Sequence, residues 1–152
     1  MNPSAHTGTR WLAAVALAFP LWACAALADA ESLAVIVNKN NPITSLTRPA
    51  VADMYRGVTL HWPEGDRVKL VNRDISAETR RVFYLRVLNA KPDQVFYREG
   101  TPVPIQSVIQ RTEDAVLRFV EVIEGAIGYV SLAKLNTMRE NQVKVVLIIE
   151  DP

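Results

Sequence analysis

Apolar positions fall into dense runs separated by polar stretches that carry proline and glycine. The first run, residues 11–28 (WLAAVALAFPLWACAALA), has no charge and gives way to Asp29-Ala30-Glu31. From residue 33 onward the runs are shorter. LAVIV (33–37) is unbroken and β-branched, the pattern of a strand buried on both faces. Asn38-Lys39-Asn40-Asn41-Pro42 ends it. Thr47 with Pro49 behind it predicts a helix through Val51, Met54 and Tyr55 that stops at Gly57. VTLHW (58–62) and RVKLVN (67–72) read as strands on either side of the turn Pro63-Glu64-Gly65-Asp66. Ser76 is placed to cap a helix over 77–88, which offers Val82, Phe83, Val87 and Leu88 for burial. A short helix is expected from Lys91-Pro92-Asp93 through Val95, Phe96 and Tyr97, and a loop over 100–108. Thr112 followed by Glu113 and Asp114 starts another helix, because acidic side chains favour the positive end of the helix dipole. Its stripe is Ala115, Val116, Phe119, Val120, Val122 and Ile123, and it ends at Gly125. AIGYVS (126–131) and KVVLII (144–149) read as two further buried strands.

Alternation of buried strands with helices predicts an α/β fold, a three-layer sandwich around a mostly parallel, mixed sheet. Residues 31–152 form one domain, with no internal repeat and no low-complexity linker. The run over 11–28 follows Arg10 and ends in overlapping A-x-A sites, so residues 1–28 read as a signal peptide cleaved before Asp29 or Glu31. Two alternatives remain: a membrane anchor, which Pro20 and the alanine-rich composition oppose, and lipidation at Cys24 within Leu21-Trp22-Ala23-Cys24, where Trp22 is a bulky misfit. The expected location is the periplasm.

Composition removes several classes. The 152 residues carry 17 Lys and Arg against 16 Asp and Glu, so no global field recruits nucleic acid or an anionic membrane. One cysteine excludes a disulfide framework and a Cys-rich zinc site, and beyond the leader His61 is the only histidine. No G-x-S-x-G, H-E-x-x-H or P-loop string occurs, and the carboxylate pairs Glu113-Asp114 and Glu150-Asp151 sit at helix or chain ends. A catalytic role, a cofactor and a metal are therefore not expected.

One segment departs from this neutrality. Residues 67–91 hold Arg67, Lys69, Arg73, Arg80, Arg81, Arg86 and Lys91 against Asp74 and Glu78, an excess of five positive charges. A strand leading through Asn72-Arg73-Asp74-Ile75-Ser76 into a helix start presents outward N–H groups to an anion. The crevice beyond the carboxyl ends of parallel strands is where α/β folds bind ligands. The plain alternative is that Ser76 only caps the helix and the arginines form a solvated face.

The string LAVIVNKNNPITSLTRPAVADMYRG…HWPEG, the piece VKLVNRDISAETRRVFYLRVL, and EGAIGYVSLAKL followed by VKVVLI occur in this order. Together they resemble phosphate-type periplasmic solute-binding proteins of ABC importers, over nearly all of residues 33–149. The resemblance implies one lobe of a periplasmic binding protein, non-catalytic binding of phosphate or a similar oxyanion, and a membrane transporter as partner. It places Asp74 and Ser76 at the phosphate-contacting Asp and Ser of an R-x-D-x-S-G-T loop. Arg73 stands one position away from the family's Arg, where this chain has Asn72. Ala77 and Glu78 replace the Gly-Thr pair, so Glu78 brings a negative charge and removes a hydroxyl. Thr79 would replace that hydroxyl only if the helix began one residue later. The chain has material for about one lobe of the two that close on ligand, and weak binding follows. The other expectation is a ligand-poor interaction or sensory module that docks on a membrane sensor or transporter.

Overall fold

The computed structural model describes residues 31–138 and 143–150. The leader over 1–28, its cleavage site and Cys24 lie outside the described residues. LAVIV becomes the centre of the molecule: β1 (Leu33–Asn38) is buried at every position. It lies between β4 (Ala126–Ser131) and β5 (Val143–Ile149) and is antiparallel to both, with Val35 opposite Tyr129 on one side and Leu147 on the other. β2 (Lys69–Arg73) is parallel to β4 and to β3 (Val108–Gln110), giving the order β3-β2-β4-β1-β5. Four strands thus share one direction and β1 alone opposes them; the sheet is mixed, as expected, with two parallel and two antiparallel pairings.

Alternation along the strands fills two cores. Leu33, Val35, Val37, Ile127 and Tyr129 face a layer made by α1 (Arg48–Tyr55), α2 (Glu78–Phe83) and the π-helical turn Tyr84–Leu88 that continues it. Ala34, Ile36, Val71 and Val130 face α3 (Glu113–Val122) and α4 (Leu132–Asn136). The first core is aromatic at its centre. Phe83 stacks flat on Tyr129 with ring centres 3.9 Å apart, and Tyr55 meets Phe83 edge-on at 4.8 Å.

Helix starts follow the expected capping. The Thr47 and Thr112 hydroxyls accept from Ala50 N at 3.3 Å and Ala115 N at 3.1 Å. Other expectations fail for identifiable reasons. VTLHW is not a strand: only His61 bridges Arg67, while Trp62 is drawn into the core and its indole donates to Gly125 O at 3.0 Å. The helix over 91–97 does not form. Phe96 packs inward between exposed Val95 and Tyr97, a two-residue alternation, and Tyr97 bridges Pro104. Val122 is 73% exposed and Leu117 takes the inward position on α3 instead. β3 lies at the end of the expected loop, and α4 had no counterpart in the pattern.

Candidate functional site

Parallel β2, β3 and β4 bring Arg73, Gln110 and Ser131 to one edge of the sheet, and antiparallel β1 brings Glu31 and Ser32 to the same edge. The turn Asp74–Ala77 then carries the chain into α2, anchored by Asp74 N donating to Gln110 O at 3.2 Å. All six residues singled out from sequence, Arg73, Asp74, Ser76, Ala77, Glu78 and Thr79, lie on this one turn and helix start.

Their individual roles differ from the expectation. Ser76 does not cap the helix. Ala77 is the N-cap, without a side-chain bond, and the Ser76 amide and hydroxyl both donate to Asp74 Oδ1, at 3.0 and 2.7 Å. An Asp two residues upstream closes a tighter ring on Ser76 than a cap would, so the hydroxyl is turned toward the carboxylate. These two bonds, with Arg111 and Arg80 nearby, hold the Asp74 carboxyl below its usual value. The helix therefore starts one residue later than expected, at Glu78. Thr79 falls in its first turn, buried, with its hydroxyl lacking a hydrogen-bond partner among the described residues. Glu78 is paired with Arg81, whose Nε donates to Oε2 at 2.8 Å, and this bond lowers the Glu78 carboxyl.

Arg73 is the unusual member. Its Nη2 donates to Arg111 O at 3.2 Å, while Nε and Nη1 are buried without an acceptor among the described residues. A buried guanidinium N–H without a partner is costly, so these groups are where an acceptor would gain most. The backbone around it is tightly held. Arg80 donates to Arg73 O at 2.9 Å and to Pro92 O at 2.8 Å, with its guanidinium 4.7 Å from the centre of the Tyr84 ring.

Beneath the turn lies a polar network. Asn72 is buried; its Nδ2 donates to the Tyr84 hydroxyl at 2.8 Å and its Oδ1 accepts from the Tyr129 hydroxyl. The Arg73 amide donates to Asn72 Oδ1 at 3.1 Å. Burial raises the Tyr129 phenol. Carboxylates stand across the crevice. Burial raises the Glu31 carboxyl, and Glu113 and Glu78 raise it further, against the pull of Arg73. Glu113 accepts from the Ser131 amide and, at 3.2 Å, from its hydroxyl.

The basic segment does not form one patch. Arg81 is paired with Glu78, Arg86 donates to Glu31 O at 3.2 Å, and Arg67 and Lys69 lie at the opposite end of β2. Sequence reasoning missed Asn72, Tyr84, Tyr129, Arg80 and Glu31. The one available signal was an amide closing the strand pattern RVKLVN at a position the sheet buries.

The α/β sandwich has the fold of one lobe of its structural neighbours, which are binding proteins of transporters. Among solved structures, the chain is similar to an ABC-type phosphate transport receptor from Vibrio cholerae, at 21% identity and a TM-score of 0.61, over 76% of this chain and 45% of that one. It is also similar to a putative phosphate ABC transporter substrate-binding protein with bound phosphate from Clostridium perfringens, at 24% identity and a TM-score of 0.60, over 78% and 46%. A third is PstS from Borrelia burgdorferi, at 16% identity and a TM-score of 0.59, over 76% and 46%. The chain spans under half the length of each of these proteins. No protein-family model and no curated protein matches it in sequence. Among the described residues, no helix is long and apolar enough to cross a membrane and no cluster of side chains could hold a metal.

Proposed function

We propose that the protein is a non-catalytic periplasmic binding protein for phosphate or a similar oxyanion, working with a membrane transporter. The observation that carries this reading is the Arg73 guanidinium, whose Nε and Nη1 are buried with no acceptor among the described residues, at the carboxyl edge of the sheet. The unpartnered Thr79 hydroxyl and the Ser76 hydroxyl stand on the same turn. Asp74 offers an acceptor to a proton-bearing oxygen, which favours hydrogen phosphate over sulfate.

Opposing carboxylates make the site weak. Glu31 feels the charges of both Arg73 and Glu78, so carboxylates compete with an incoming anion for the Arg73 guanidinium. Calorimetric titration of the mature protein with phosphate and with sulfate tests the reading. Phosphate should bind, Arg73→Ala should weaken it about ten- to hundredfold, and Glu78→Thr should strengthen it. Absence of phosphate binding in both wild type and Glu78→Thr would sink the proposal.

The same carboxylates favour a second reading, an interaction or sensory module that docks on a membrane sensor or transporter. In that case Arg73 meets an acceptor on the partner, and Arg73→Ala abolishes docking while phosphate has no effect.

A further inference from the structure

We propose that a second site, at the other end of β2, binds an anionic amphiphile: a carboxylate or similar headgroup on a short apolar tail. β3 is only three residues long and pairs with β2 from Val71 onward, so Lys69 and Leu70 have no strand on that side. The missing strand leaves a groove of about 470 Å³, bounded by the end of α1, the start of β2 and the turn over 97–104. That volume lies within the range of small-molecule pockets.

Its floor is apolar, with Met54 and Leu70 buried and Ile105 half-buried against the aromatic core. Its rim is cationic. Arg67, Lys69 and Arg98 line it, none of the three is in an ion pair or side-chain hydrogen bond among the described residues, and no Asp or Glu lines the groove. Asp66 and Glu99, their neighbours in sequence, make no ion pair with them. The groove lining thus carries three cations and no carboxylate, while Asp66 and Glu124 stand with Arg67 and Lys69 around an adjoining hollow, so the positive field is strongest on the Arg98 side. A bare inorganic anion would leave the apolar floor wet, and a neutral apolar ligand would leave three cations unanswered. A tail on the floor with its headgroup among the cations satisfies both. This site is independent of the crevice at Arg73, where carboxylates oppose an anion.

Titration of the mature protein with decanoate, below its micelle-forming concentration, tests the proposal against decyltrimethylammonium, which has the same tail and the opposite charge. Decanoate should bind saturably and about tenfold or more tighter than the cation. Arg67→Gln combined with Arg98→Gln should weaken decanoate about tenfold. Val103→Glu, at an exposed position lining the groove, should weaken it too and covers the case in which the double variant does not fold. Inorganic phosphate should not displace decanoate. Equal affinity for the two amphiphiles, no saturable binding, displacement by phosphate, or an affinity unchanged in the folded variants would each overturn the proposal.

Discussion

Asn72 holds together more of the site than any residue that faces the crevice. Its amide satisfies two phenols and the amide of Arg73 at once. Replacing it by leucine preserves bulk but removes the donor to the Tyr84 hydroxyl and the acceptor of the Tyr129 proton, each loss costing about 1–3 kcal/mol when buried, although Tyr129 still accepts from the Arg73 amide. Asn72→Leu should therefore lower the midpoint of urea unfolding well beyond the effect of Ser76→Ala, whose exposed hydroxyl bonds only Asp74. Glu31 provides a pH test. Its carboxyl is raised, so the folded chain holds that proton more tightly than the unfolded chain does. The associated stability is present at low pH and is lost as pH rises from the ordinary carboxylate value through the raised one. Glu31→Gln should melt higher than wild type at neutral pH, and the difference should vanish in acid. A constant difference at every pH would show that the carboxylate is not responsible. The sequence placed Asp74 and Ser76 on the run into a helix and read Ser76 as its cap, yet carried no sign that Ser76 donates to Asp74 instead. That choice depends on Ser76 lying two residues from Asp74, a spacing that competes with capping.

At the scale of elements, unbroken apolar runs were legible and mixed ones were not. β1 and β4 are buried on both faces, and burial of that kind writes itself as consecutive apolar residues; β5, equally apolar in sequence, is an edge strand only partly buried, with Ile148 exposed. Val95-Phe96-Tyr97 offers three apolar positions in a row for a different reason: only Phe96 is needed by the core. Length cannot separate these cases, because tertiary contact decides which neighbours turn outward. α3 shows the same limit. Its N-cap Thr112 was readable, but it ends at Val122, with Ile123 as C-cap, before the expected Gly125, and its inward face is rotated from Val122 toward Leu117. Leu117→Ala should cost about 2–5 kcal/mol, while Val122→Ala, at a position 73% exposed, should leave chemical unfolding nearly unchanged. Comparable effects from the two would place the helix the other way round.

Across the molecule, the basic segment read as one feature serves two ends of β2. Arg73 and Arg80 belong to the carboxyl edge, and Arg67 and Lys69 to the groove at the opposite end. A count of charges along the chain cannot see this, since a five-residue strand separates its ends in space while keeping them adjacent in sequence. The three layers and the site turn were legible from pattern; the groove was not, because it exists only through the shortness of β3.

β1 is the first strand of the described fold, and both strands it pairs with come last among the five. A chain emerging from the ribosome therefore holds its wholly buried central strand idle until residues 126–149 have followed. Pairing across such separations is slow, because closing the loop costs entropy before any contact rewards it. Nascent chains halted before residue 126 should stay fully sensitive to protease, and chains released after residue 150 should become resistant in a single step. The molecule thus has a built-in delay: its centre is made first and completed at the end.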